Sequence, residues 1–213
     1  MKVLAISSSP SRGRNSDTML DYFISGIKKV PGIEVEKVYL DDIHINYYKR
    51  QNSTGAEIEE EDFRKLTDKI SKDISGLVIS TPTYNFSVPA HLKNFIDRIR
   101  FIALDLKNTN KFDQPRGMLG HIKTYFLVSG GTPNWAEKIL FFTFPAFWLR
   151  GVFLYFGAQV MGAFYSGDTN TFNNPKVLNK CYKKGMRYGR KLASHKGQGI
   201  LENIFWRPPQ TKN

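Results

Sequence analysis

Three short segments concentrate the side chains that could bind a ligand. The first, SSPSRGRNS (Ser8 to Ser16), sets hydroxyls, two arginines and an asparagine directly ahead of a helical pattern. Unpaired amides and the dipole at a helix N-terminus favour an anion. Ser9 and Ser16 add hydroxyl donors, and Arg12 or Arg14 adds charge. That is chemistry for a phosphate, or else Asn15 or Ser16 simply caps the helix. Neither a GxxxxGK[ST] nor a GxGxxG pattern is present. The second segment, TPTYNFSVP (Thr81 to Pro89), is stiffened by Pro82 and Pro89 and offers the rings of Tyr84 and Phe86. Asn85 tolerates unusual backbone angles. The segment suits a flat ring, or is an ordinary rigid turn. The third, SGGTPNW (Ser129 to Trp135), has Gly130 and Gly131, which let backbone approach a ligand or make a plain turn.

The elements around these segments alternate. KVLAISS and GLVIST are short apolar runs of the kind buried on both faces of a parallel sheet. IEVEKVYL, HIKTYFLVS and AQVMGAFY complete five predicted strands. Helices are predicted over NSDTMLDYFISGIKKV, EIEEEDFRKLTDKISKD, AHLKNFIDRIRFIAL, GGTPNWAEKILFF and NPKVLNKCYKKGMRYGRKLASH, with NTNKFDQPRGMLG as a polar connector. Repeated strand–helix alternation predicts an α/β fold with a five-stranded parallel sheet of order 2-1-3-4-5 and helices on both faces. The three segments then share the carboxyl edge of the sheet, where such folds bind ligands. The loops at the opposite edge, VPGI, KDISG and MLGH, read as plain connectors.

Bulk properties narrow the class. The chain has 213 residues, enough for one large domain. Its single cysteine, Cys181, can supply neither an internal disulfide nor a cluster of thiolate ligands. No leader or membrane-spanning run is read in the sequence, so a cytoplasmic protein with no transmembrane segment is expected. The net charge of +12 lies wholly in the second half: residues 1–106 hold 15 basic and 15 acidic side chains, residues 107–213 hold 16 and 4. Lys176, Lys180, Lys183, Lys184, Arg187, Arg190 and Lys191 form a basic stripe on the last predicted helix. Such a stripe is a solvated face or an attractor of anionic partners. No nucleic-acid-binding module is present, and none is expected to act here.

SSSPSRGRNS, followed at the third strand by TPTYNFSVPAHLKNFIDR, resembles the flavodoxin-like NADPH-dependent FMN reductases, a group related to azo, chromate and quinone reductases and to iron–sulfur flavoproteins. Thr81, Pro82, Tyr84, Pro89, Leu92, Lys93, Ile96, Asp97 and Arg98 carry the more specific part. The resemblance implies a flavodoxin-like FMN-binding domain over residues 1–197, with a tail at 198–213. It implies that Ser9, Arg14, Asn15 and Ser16 surround the FMN phosphate. Pro82, Thr83, Tyr84, Asn85, Phe86 and Ser87 would wrap the ring and ribityl chain, and Ser129, Gly130 and Gly131 would close the other side. Asp97 and Arg98 would support the Pro82–Pro89 loop from the helix.

The implied activity is electron transfer from NADPH or NADH through FMN to a quinone, azo compound, flavin or similar small acceptor. No catalytic side chain and no metal is implied. The alternative is a flavodoxin-like electron carrier without its own nicotinamide activity. A homodimer or homotetramer and an acidic redox partner are further expectations. HINYYKRQNSTG, where cluster-bearing relatives place cysteines, has none. Phe86 stands where many relatives have glycine. The aromatic segment 139–156 is expected to form core and subunit contact. His44 is a weak proton-donor candidate, while His91 and His121 read as helix-start and strand-start residues.

Overall fold

The computed structural model describes residues 1–48, 60–109, 113–139 and 145–194. The chain alternates β1 (Lys2–Ser7), α1 (Asn15–Ile27), β2 (Glu34–Tyr39), α2 (Glu61–Asp68), β3 (Gly76–Pro82) and α3 (Ala90–Ala103). Then follow β4 (Leu104–Thr109), β5 (Pro115–Gly117), β6 (Lys123–Ser129), α4 (Asn134–Ile139), α5 (Pro145–Tyr155), β7 (Gln159–Ser166) and α6 (Pro175–Ala193). Among the described residues the main sheet is parallel and runs β2-β1-β3-β6-β7. Counting only its own strands, that is the expected order 2-1-3-4-5.

The strands bury both faces because their side chains alternate between two apolar layers. Leu4, Ile6, Leu77, Ile79, Phe126 and Val128 point to the layer that holds Phe63, Phe95, Ile99, Leu149 and Phe153 of α2, α3 and α5. Val3, Ala5, Val78, Tyr125 and Leu127 point to Met19, Phe23, Ile27, Cys181, Tyr188 and Leu192 of α1 and α6. On that second face α1 and α6 meet backbone to backbone. A β-carbon at Gly185 would lie 2.0 Å from the Phe23 carbonyl oxygen, and one at Gly26 would lie 2.1 Å from that of Tyr182. Only glycine permits the approach. The basic residues of α6 all face outward except half-buried Lys184.

Two regions differ from the sequence reading. The polar connector after α3 contains an antiparallel pair outside the main sheet, with Leu104 opposite Gly117 and Asp105 opposite Arg116. Residues 106–109 are exposed, so no alternation marks the strand. Within the aromatic segment, α5 is a separate helix whose buried residues are Pro145, Ala146, Leu149 and Phe153. The core part of that expectation agrees with the structure. The expected domain boundary at 197/198 and the tail lie outside the described residues, as does the start of the second predicted helix.

Candidate functional site

The carboxyl ends of β1, β3, β6 and β7 carry buried serines in register: Ser7 pairs with Ser80, and Ser129 with Ser166. Small polar residues at the strand ends leave the loops above them free to form a crevice. Ser80 donates its hydroxyl to the Ser16 carbonyl, tying β3 to the first turn of α1. The Thr83 amide donates to Ser129 O at 2.7 Å, and the Gly130 amide to Ser166 O at 2.9 Å. The loops after β3 and β6 are therefore bonded to the ends of the neighbouring strands β6 and β7.

The first loop is organised around Asp17, in the first turn of α1 and only 2% exposed. Its carboxylate accepts hydrogen bonds from Ser7 Oγ at 2.9 Å and from the Gly13 amide at 2.8 Å, and lies 2.8 Å from Lys37 Nζ of β2. Burial alone would raise the Asp17 pKa. The Lys37 ammonium and the Gly13 and Ser7 donors outweigh it and hold the group below its usual value. Lys37 likewise stays protonated against burial, because Asp17 and Asp21 flank it. The pair is thus locally neutral, which keeps the carboxylate from repelling an anion at the same helix end.

That helix end has no side-chain cap: Arg14 occupies the capping position without a capping bond. Ser16 Oγ is buried and has no hydrogen-bond partner. Thr83 Oγ1, on the loop after β3, is also buried and unpartnered. An unsatisfied buried hydroxyl costs about 1–3 kcal/mol, so two of them above adjacent strands of one edge, in α1 and in the loop after β3, call for a polar ligand. The residues therefore fit FMN: an uncapped helix end with a buried hydroxyl for the phosphate, and a second hydroxyl among aromatic side chains for the ring and its chain.

Ser9 is buried, and its hydroxyl donates to Ser11 O at 2.9 Å. The Arg14 guanidinium lies over the Phe172 ring at 5.4 Å, whereas Arg12 pairs with Asp42 over Tyr39. Asn15 is engaged away from the crevice: its amide donates to Thr169 O and accepts from the Phe172 amide, both at 3.0 Å. Pro82 ends β3 opposite Ser129. Tyr84 and Ser87 exchange two backbone hydrogen bonds of 2.9 Å around Asn85 and Phe86, whose φ angles are 49° and 63°. This is the pattern of a primed tight turn, which ordinarily asks for glycine at the second position. Tyr84 and Phe86 are 47% and 58% exposed. Gly131 is exposed beside Thr169, while a β-carbon at Gly130 would meet Tyr165 Oη at 2.6 Å.

Several supporting residues carry no local sequence signal. Asp17 and Lys37 are twenty positions apart and meet only through the β1–β2 pairing. Thr169 and Phe172 reach the first loop from beyond β7. Arg98 does not brace the Pro82–Pro89 loop. It forms a buried pair with Glu60 at 3.0 Å and donates to Asn46 O at 2.9 Å, fixing the segment after β2. Asp97 pairs with Lys93 on the helix surface. His91 lies at the start of α3, its Nε2 2.9 Å from Ser8 O; His121 lies near the start of β6, and His44 is exposed. Among the described residues no group of His, Cys, Asp and Glu could hold a metal, and no helix is long and apolar enough to cross a membrane.

Comparison with known proteins agrees with this geometry. Residues 1–169 match the family model for NADPH-dependent FMN reductase. An FMN-dependent NADH:quinone oxidoreductase from Pelagibacter ubique is 30% identical over 86% of this chain and 97% of its own. An iron–sulfur flavoprotein from Archaeoglobus fulgidus is 35% identical over 49% of this chain; the match spans about half (51%) of that relative's length. In fold, the chain is similar to the FMN complex of an FMN-dependent NADH-azoreductase from Bacillus anthracis, with a TM-score of 0.66 at 18% identity, covering 91% of this chain and 99% of that one. With four-fifths of its length matched by the family model and its loops built as described, the chain belongs to the NADPH-dependent FMN reductase family.

Proposed function

We propose that the chain is an FMN-dependent oxidoreductase that passes electrons from NADH or NADPH to a small acceptor such as a quinone, an azo compound or a free flavin. The observation that carries this reading is the pair of buried, unpartnered hydroxyls at the carboxyl edge, Ser16 in the first turn of α1 and Thr83 on the loop after β3. FMN, when bound, supplies the hydride acceptor and the electron store; the chain supplies position and electrostatics. Ser16 and the first amides of α1 hold the phosphate, with Arg14 as the nearby cation. Asp17, neutralised by Lys37, keeps the Gly13 amide and the loop in place. Thr83 donates to the ring or its chain. Tyr84 and Phe86 wall one side of the crevice and exclude water from it, with Ser129, Gly130 and Gly131 opposite. Pro82, Asn85 and Ser87 set the shape of the turn, and Ser9 and Asn15 brace the loop beneath the phosphate.

This reading includes a cytoplasmic location, where reduced nicotinamides are available, and a homodimer or homotetramer. The exposed rings of Tyr84, Phe86 and Trp135 support a subunit boundary near this edge. An acidic protein as a further acceptor is supported by the basic second half of the chain.

Anaerobic mixing of the FMN-loaded protein with NADPH and with NADH tests the reading. Bleaching of the flavin absorbance by at least one of them is expected. Reduction only by a protein donor would make the chain an electron carrier instead, and a chain that takes up no FMN would remove both readings.

A further inference from the structure

Tyr165, next to last in β7, differs from its neighbours in the layer it fills. It is 8% exposed, and it is the one residue of that buried apolar cluster, among the described residues, with a polar side-chain atom. A phenylalanine ring would fill the space nearly as well. A buried hydroxyl is tolerated where it is bonded. Tyr165 Oη donates to the Thr132 carbonyl at 2.8 Å, 33 positions earlier in the chain. The bond starts in the core and ends on the third candidate loop, the one after β6.

That loop is pinned to the end of β7 on both sides of Thr132. Before it, the Gly130 amide donates to Ser166 O at 2.9 Å, continuing the register in which Val128 faces Tyr165 and Ser129 faces Ser166. After it, Asn134 Oδ1 accepts from the Gly167 amide at 2.9 Å. The approach leaves no room for side chains. A β-carbon at Gly130 would lie 2.6 Å from Tyr165 Oη, and one at Gly167 would lie 1.8 Å from the Thr132 oxygen. The Thr132 carbonyl is thus held between a hydroxyl and a bare α-carbon. Ser129, at the foot of the loop, also accepts from the Thr83 amide at 2.7 Å. Where the loop after β6 sits therefore sets the separation between it and the loop after β3.

We propose that Tyr165 is a positioning residue of the flavin site: its hydroxyl fixes the height at which Gly130 and Gly131 meet the ring, before any ligand arrives. The proposal rests on the reading of the crevice as an FMN site. Tyr165 acts through the loop backbone. A wall already held in its binding geometry spares the ligand the cost of ordering it. It also keeps water from the ring, where water would favour the charge that reduction adds. Without the hydroxyl, the loop keeps its two end anchors and loses the central one.

The test uses the full chain and Tyr165→Phe, which keeps the ring and its packing and removes only the hydroxyl. In the flavin-free protein, amide hydrogen exchange should become several-fold faster at Gly130, Ala136 and Gly167 and stay at the parent rate at Phe126 and Leu127. FMN affinity should fall about fivefold, the worth of one neutral hydrogen bond. The midpoint potential of the bound FMN should rise. Gly130→Ala should weaken FMN binding about tenfold in the parent, and by clearly less in Tyr165→Phe, where the clashing oxygen is gone. Faster exchange throughout β6 and β7, or an unchanged potential, would overturn the proposal. So would an equal alanine penalty in both backgrounds, since the added methyl would then meet the flavin directly. If the parent takes up FMN and Tyr165→Phe binds it equally well, the positioning role falls and the flavin reading stands. If the parent takes up no FMN, both fall.

Discussion

The loops after β1 and β3 rise from adjacent strands of one edge and are held in opposite ways. The first is braced from outside: Lys37 reaches it from β2, Thr169 and Phe172 from beyond β7, and Ser80 from β3. Ser8, Ser9 and Ser16 are buried. The loop after β3 instead bonds to itself across the Asn85–Phe86 turn and projects its rings into solvent. One loop is rigid because distant elements fix it. The other is shaped by two residues in a left-handed backbone conformation that side chains resist. A phosphate has a fixed tetrahedral shape and a charge, and it gains from the first arrangement. A flat ring that must admit different reaction partners gains from the second.

Removing the central brace should break this contrast most strongly. Asp17→Asn leaves Lys37 without its buried partner and should cost about 3 kcal/mol of stability at neutral pH, read by chemical denaturation. Its pH dependence has a definite sign. The folded pKa of Asp17 lies below its ordinary 3.8, so the carboxylate's contribution is complete above that value and disappears as the pH falls through the lower folded value. The variant and the parent should therefore converge in acid; a constant gap would place the effect elsewhere.

Ser16→Ala separates bracing from binding. Its hydroxyl makes no bond within the chain, so stability without FMN should stay the same or rise. FMN affinity should drop by about 2 kcal/mol, roughly thirtyfold, in a fluorescence titration. An unchanged affinity would leave the hydroxyl without a ligand.

The smallest effect probes the second loop. Phe86→Gly and Phe86→Ala both remove the exposed ring, but only glycine relieves the positive φ of 63°. The glycine variant should be the more stable of the two by about 1 kcal/mol in thermal denaturation. Equal stability would mean that the turn carries no strain.

The strands and the shared edge were legible in the sequence because apolar runs and helical spacing are local patterns. GLVIST and HIKTYFLVS each sit between turn signals, and their loops follow directly from the alternation. Residues whose role depends on crossing the sheet were not legible. Asp17 reads as an ordinary first-turn acid until β1 pairs with β2 and brings Lys37 to it. Asn15 reads as a helix cap or phosphate ligand, yet its amide is taken by Thr169 and Phe172, more than 150 positions away. Arg98 belongs to a motif that points toward the β3 loop, but its charge is answered by Glu60 at the start of α2. The α5 helix was hidden by aromatic residues so dense that they show no period.

The close backbone approach at Gly26 and Gly185, against Tyr182 and Phe23, reaches further than packing. It joins α1 and α6 without a compliant side chain between them. Gly26 is ten residues from Ser16 along α1, about 15 Å at the helical rise. A single methyl group added there must push the far end of the helix whose near end is the proposed anion site. The helix pair is therefore a remote adjusting screw. It gives mutation, natural or engineered, a place to retune cofactor grip without altering any residue that the cofactor would touch.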